Sequence, residues 1–245
     1  MIKKYLKVFM IIIILSAGRG KRLGTKTELL PKCLVKVKGK PIIDYLENFR
    51  NKFKKTIIVT GYKHHLLFNK FKKVKNLSFC LNKDYINTNM VYSLFKVPKN
   101  QIKKSDIVVC YSDIIFDPNV FKLFKQTKKT FITINKKWLK LWRKRMRFNK
   151  IKYDAEDLVI DKSKVISIGN KIQKKLPKYQ FMGLIKIMNK DFFKLKKFFL
   201  KQKKNIDFTS FLNLAIKNKI IKLSYRKTSS YWYEIDTKND LKSFN

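Results

Sequence analysis

Three of the chain's seven glycines, Gly18, Gly20 and Gly24, fall directly after an unbroken apolar run from Met10 to Leu15. Arg19, Lys21 and Arg22 lie among them. Glycine lets a backbone approach a ligand closely and turn successive N–H groups toward it, and the basic side chains add positive charge. A strand that ends in such a segment is suited to holding a polyphosphate. The spacing G-x-G-x-x-x-G matches neither the dinucleotide fingerprint G-x-G-x-x-G nor the G-x-x-x-x-G-K-[ST] loop, so a third kind of phosphate loop is expected. Asp113 is the second candidate. It follows the apolar run Ile107 to Cys110, at the carboxyl end of a predicted strand, where open α/β sheets bind ligands. Mg²⁺ takes few carboxylates together with phosphate oxygens, so one acid here and one from elsewhere would suffice to hold it.

Leu15-Ser16-Ala17-Gly18-Arg19-Gly20-Lys21-Arg22-Leu23-Gly24, followed by Pro31-Lys32-Cys33-Leu34, resembles the two-part signature of the nucleotide-sugar and cytidylyl-type nucleotidyltransferases. The resemblance implies that the loop residues Leu15, Ala17, Gly18 and Gly20 wrap a nucleoside triphosphate. It also implies that Arg22 holds the outgoing pyrophosphate and that Lys32 neutralises charge at the reacting phosphates. Asp113 and Asp236 would be the Mg²⁺ ligands. Gly61-Tyr62 resembles a family turn beside the nucleobase and Thr88-Asn89-Met90 a helix start facing the same cleft, which adds Gly61 and Asn89 to the nucleotide site. Ser112 joins them, standing where many sugar-directed members carry Gly, and this favours the cytidylyl branch. Plainer readings stay open for several of these residues: a turn at Gly61, a helix start at Asn89, and an N-cap at Asp236 for a helix beginning near Thr237. His64 and His65 lack a partner at ligand spacing and receive no role.

Trp138-Leu139-Lys140-Leu141-Trp142 with Arg145, then Asp154-Ala155-Glu156, and later Phe181-Met182-Gly183-Leu184, resemble the phosphocholine and aminoalkylphosphonate cytidylyltransferase branch. Aromatic faces attract a cationic head group, and a carboxylate suits an ammonium. Trp138, Trp142, Trp232, Glu156 and Glu234 are therefore expected at the acceptor, with core packing the alternative for each indole. The reaction implied is attack by an acceptor phosphate or phosphonate oxygen on the α-phosphorus of a nucleoside triphosphate, CTP being favoured. Two other readings stay open on sequence alone: a sugar-1-phosphate nucleotidyltransferase, and a non-catalytic basic nucleic-acid-binding protein.

Charge bears on that last reading. The chain has 59 basic and 16 acidic residues, a net charge of +43. Only seven of the basic residues are arginine, and the lysines run almost evenly from end to end. Nucleic-acid readers lean on arginine and gather their charge into a patch, so neither a nucleic-acid partner nor a membrane is expected. The three cysteines show no CxxC spacing, which suits a reducing cytoplasm and excludes the common zinc motifs. Lys3, Lys4 and Lys7 before Val8–Leu15 imitate a signal peptide, but a glycine-rich basic loop stands in place of a cleavage site.

Positioning these residues requires short apolar runs alternating with helical stretches, a pattern that favours an α/β fold. Strands are expected over Met10–Leu15, Thr56–Thr60, Leu77–Leu81, Ile107–Tyr111 and Thr130–Asn135. Helical spacing marks Ile42–Phe53, Thr88–Lys96 and Asn119–Lys125. Further on come a hairpin (Asp157–Ile160 and Lys164–Ile168), a strand over Phe181–Met188, and helices over Lys190–Gln202 and Asp207–Asn218. Strands near Ile220–Tyr225 and Tyr231–Ile235 and a helix from Thr237 complete the pattern. The expectation is a three-layer α/β/α sandwich with a mixed, mostly parallel Rossmann-like sheet and a small β-hairpin insertion. Residues 1–9 read as an extension and 10–245 as one domain, divided into a nucleotide half (10–135) and an acceptor half (136–245). A homodimer is compatible with this reading.

Overall fold

The computed structural model describes residues 8–102, 104–125 and 127–244. In chain order the first strands are β1 (Val8–Ser16), β2 (Lys36–Val37), β3 (Lys40–Pro41), β4 (Phe53–Thr60), β5 (Leu77–Leu81), β6 (Asp106–Tyr111) and β7 (Ile114–Phe116). They are followed by β8 (Phe131–Asn135), β9 (Glu156–Asp161), β10 (Lys164–Lys171), β11 (Gln180–Ile187), β12 (Ser224–Thr228) and β13 (Trp232–Glu234). Among the described residues, nine of these strands form one sheet in the order β5-β4-β1-β6-β11-β8-β12-β10-β9. Only β10 and β11 run against the others. The mostly parallel sheet expected from the sequence is present, and the hairpin β9–β10 extends its edge.

The alternation of side chains along β1 shows why both faces must be covered. Ile11, Ile13 and Leu15 pack on one side with residues of the helices Met90–Phe95, Asn189–Phe199 and Phe208–Lys217. Met10, Ile12 and Ile14 pack on the other side with Ile43, Leu46, Phe49, Leu67, Trp138 and Trp142. A strand buried on both faces reads as a continuous apolar run, which is what Met10 to Leu15 is. The extension read at residues 1–9 lies mostly outside the described residues, and β1 already begins at Val8.

Some elements differ from expectation. The helix read over Ile42–Phe53 is a 3₁₀ turn, Ile42–Leu46, leading into a single α turn, Glu47–Arg50. The chain must be extended again by Phe53, where β4 starts, so the apolar spacing has no room for a longer helix. The segment before β12 is irregular: Lys219 is left-handed (φ 55°), and the Ile220 N–H donates to Ala215 O, closing the preceding helix. The strand therefore begins only at Ser224.

Two long-range features bring the end of the chain to the middle. β13 pairs antiparallel with β7, placing Glu234 opposite Ile114, and the Ile235 N–H donates to Asp113 O at 2.9 Å. The C-terminal helix Lys238–Phe244 is then fixed by Asp240, which accepts from Arg145 Nε at 2.6 Å and from the backbone N–H groups of Asp236 and Thr237. Both side chains of the Arg145–Asp240 pair are only 2% exposed. Removing one partner of a buried pair strands the other charge, so Asp240→Ala should cost about 3–5 kcal/mol of stability. Urea unfolding followed by circular dichroism measures this, and a loss below about 1 kcal/mol, the range of an exposed pair, would show that the pair is not the anchor.

Candidate active site

The strands β1, β4 and β6 end level with one another. Ser16 pairs with Thr60 and Leu15 with Tyr111, so the segments that follow them emerge at one edge of the sheet. The glycine loop folds back there. Leu23 is fully buried in a small cluster with Val35, Ile42, Ile235 and Leu241, which anchors the loop against the C-terminal segment. Gly20 is left-handed (φ 78°), and a Cβ on it would lie 2.6 Å from Lys32 Cβ, so the glycine is what lets the Pro31–Lys32 turn approach. At Gly18 a Cβ would meet no protein atom within 4 Å, leaving its room on the open side.

Lys32 is the centre of the arrangement. Its ammonium donates to Asp113 Oδ2 at 2.6 Å and also to Asp236 Oδ1. Arg22 Nη2 reaches Asp236 Oδ2 at 3.0 Å from a side chain that is 65% exposed. Burial acts to lower the Lys32 pKa, but the two carboxylates outweigh it and hold the ammonium above its ordinary range. Burial likewise acts to raise Asp236, and Lys32 and Arg22 overcome it and hold the carboxyl below its ordinary value. Glu234 has no such close partner. Burial, reinforced by Asp236 and Asp113, pushes it up to about 8, with Arg145 Nη1 opposing from 3.7 Å.

Carboxylate oxygens of Asp113, Glu234 and Asp236 all lie within 4.8 Å of one another. Asp113 Oδ1 is buried and has no hydrogen-bond partner among the described residues. An all-oxygen donor set with a spare carboxylate oxygen fits a hard divalent cation such as Mg²⁺ and does not suit a soft metal. Asp236 is not an N-cap. Thr237 takes that place: its Oγ1 accepts from the Asp240 N–H while Asp240 Oδ2 accepts from the Thr237 N–H, a reciprocal capping box.

Two cavities meet at this cluster. The first, about 210 Å³, is lined by Leu15, Ala17, Gly18, Gly20, Asn89 and Ser112, together with Lys32, Asp113 and Asp236. Gly61 is not on its wall but stands behind it, where a Cβ would fall 2.6 Å from Ala17 O and 2.7 Å from Tyr85 Cβ. The second cavity, about 300 Å³, shares Arg22, Met90 and Asp236 with the first. Its walls include Tyr111, Phe181, Phe208, Trp142, Glu156 and Glu234.

The indoles divide. Trp138 and Trp232, each 1% exposed, belong to the core and not to the cavity wall. Trp138 Nε1 donates to Pro177 O, and Trp142 packs between Trp138, edge-on, and Trp232, tilted, with ring centroids 5.7 and 4.9 Å away. The acceptor role expected for these two indoles therefore meets a correction: each is consumed in packing beneath the cavity, and only Trp142 reaches its surface. Trp142 is oriented by Arg145, 4.5 Å from its ring centroid, and by the Nε1 donation to Asp154 Oδ2 at 2.7 Å. Glu156 accepts from Thr209 Oγ1 at 2.9 Å, and burial raises its pKa against that bond. His64 and His65 are exposed and distant in role.

Asp207, Thr209, Tyr111 and Tyr85 also line the cavities, and none of them carries a motif of its own in the sequence. Asp207 carried the one available signal, being an acid in a chain with 16 of them, but its place at a helix start accounted for it equally well.

Residues 12–135 match the family described as the MobA-like NTP transferase domain. Over 94% of its length the chain is 33% identical to a CTP:phosphoglutamine cytidylyltransferase of Campylobacter jejuni, covering 96% of that protein. The fold is similar to that of CTP:phosphocholine cytidylyltransferase from Streptococcus pneumoniae, with a TM-score of 0.73, 22% identity, and coverage of 95% of this chain and 96% of that one. It is equally similar to the inositol-1-phosphate CTP transferase from T. maritima, with a TM-score of 0.75, 18% identity, and coverage of 97% and 96%. The family match and the full-length relative together show that the chain belongs to the MobA-like NTP transferase family.

Proposed function

We propose that the protein transfers CMP from CTP to the phosphate or phosphonate of a small acceptor bearing an amine or quaternary ammonium group, such as phosphocholine or 2-aminoethylphosphonate, with release of pyrophosphate. The observation that carries this reading is the meeting of two cavities at Arg22 and Asp236, beside Lys32 and Asp113. A nucleotide in the first cavity and an acceptor in the second would place their phosphates at that shared wall. The Campylobacter, Streptococcus and T. maritima proteins are all CTP-dependent transferases by name, which favours CTP as the nucleotide.

Acceptor charge follows from where the acids are. Five of the chain's 16 acidic residues line the second cavity: Glu234 and Asp236 belong to the carboxylate cluster, Asp154, Glu156 and Asp207 lie apart from it, and Arg22 is the one basic lining residue among those described. In a protein of net charge +43 that concentration favours a cationic group on the acceptor. A sugar 1-phosphate, with no positive charge, gains nothing from it.

The chemistry asks little of a general base. An acceptor phosphate is already ionised near neutral pH, so the protein's part is to align the two phosphates and to neutralise charge. Lys32 and Arg22 would do so at the α-phosphate and the leaving pyrophosphate. Asp113 and Asp236, with Glu234 beside them, would hold Mg²⁺, which supplies further charge neutralisation when bound.

Pyrophosphate release should be fastest with CTP among the four nucleoside triphosphates, and with amine-bearing acceptors over sugar 1-phosphates. Turnover confined to sugar 1-phosphates would overturn the acceptor assignment, and no turnover with any pair would overturn the whole. Lys32→Ala and Asp113→Asn should each lower kcat/KM by about 10²–10³-fold. Because burial raises the Glu156 pKa, that group becomes anionic only above the ordinary carboxylate range. The KM for an amine-bearing acceptor should therefore fall as pH rises through that region, beyond the effect of the acceptor's own phosphate ionisation. Glu156→Gln should leave only the acceptor's component, and an unchanged profile in that variant would remove Glu156 from acceptor binding.

A further inference from the structure

The position between Asp113 and Asp236 holds a cation that belongs to the protein. Lys32 Nζ lies within hydrogen-bonding reach of one oxygen from each carboxylate, and its side chain is only 13% exposed. Arg22 supplies a second positive charge to the other Asp236 oxygen. The two acids are thus neutralised by two basic residues, charge for charge. A free divalent cation arriving alone would have to displace the Lys32 ammonium, stranding it in a poorly hydrated position beside a new double positive charge. Desolvation makes that arrangement costly.

A cation arriving with a triphosphate meets a different balance. The phosphates offer Lys32 and Arg22 new anionic partners within the same cavity, whose wall carries both residues and both acids. Every charge that loses a partner then gains another. We infer that Lys32 makes the site selective for the metal–triphosphate complex over the free metal ion, so that the divalent cation enters only with its nucleotide. This rests on the reading of the site as a metal–nucleotide site, and it assigns Lys32 a gating role at the carboxylates in addition to one at the phosphates.

Metal binding, measured without turnover, tests the inference. Mn²⁺ serves as the probe, its bound fraction read from the loss of the free-ion electron paramagnetic resonance signal. The wild-type chain alone should take up little Mn²⁺, and adding α,β-methylene CTP should raise protein-bound Mn²⁺ above that of the analogue-only mixture. Lys32→Met keeps the length of the side chain without its charge and should bind Mn²⁺ about tenfold more tightly, or better, with no nucleotide present. Arg22→Gln, which alters an exposed side chain, should gain less. Adding Asp113→Asn to Lys32→Met should abolish the gain, which shows that the new binding is at this site. Lys32→Gln serves as the second variant should the methionine form fail to fold by circular dichroism.

Equal Mn²⁺ affinity in the wild-type and Lys32-substituted chains without nucleotide would overturn the gating role while leaving the metal–nucleotide reading intact. No uptake by the wild-type chain even with the analogue would overturn that underlying reading instead.

Discussion

The site depends on one contact, the Lys32 ammonium held between Asp113 and Asp236. Its three members come from the turn after the glycine loop, the end of a central strand and the segment after the last strand. Two carboxylates this close repel one another unless a cation lies between them, so the lysine is what permits their approach. Glu234, whose cation partner Arg145 stands farther off at 3.7 Å, shows the alternative: burial, reinforced by the two neighbouring carboxylates, pushes its pKa up to about 8.

Much of the surrounding structure can be understood as support for that contact. Gly20 clears the space that Lys32 occupies, and Leu23 pins the loop to Ile235 and Leu241. The ladder between β7 and β13 carries Asp236 to Asp113, and Asp240 fixes the backbone N–H of Asp236 while holding buried Arg145. Arg145 in turn lies against Trp142, whose Nε1 holds Asp154 at the second cavity. The two cavities are therefore joined through a continuous set of polar and packing contacts as well as through the residues they share. The lysines are spread almost evenly along the chain, which agrees with a lysine-rich surface more than with a built recognition face.

What could be read in the residues was set by how local the signal was. The apolar run Met10–Leu15 shows its burial on both faces directly, and the glycines after it show where the strand must end. Asp113 could be placed for the same reason, as an acid at the end of an apolar run. Asp236 could not be connected to it from spacing, because the ladder that joins them spans three residues on each side and has no signature in either; only the resemblance linked the two. The indoles failed differently. Trp138 lies on the helix Trp138–Arg145 and Trp232 on β13; each element has two faces, and nothing local tells which face of either turns inward. Asp207 was hidden by its second role as a helix cap.

The most direct measurement is a crystal structure of the protein with Mg²⁺ and α,β-methylene CTP. The triphosphate should lie along Ala17–Gly20 and the metal on Asp113 and Asp236, with Lys32 Nζ moved from those carboxylates to the α-phosphate region. A triphosphate bound elsewhere, or one bound along the loop while Lys32 stays paired with both acids and no metal reaches them, would contradict this arrangement.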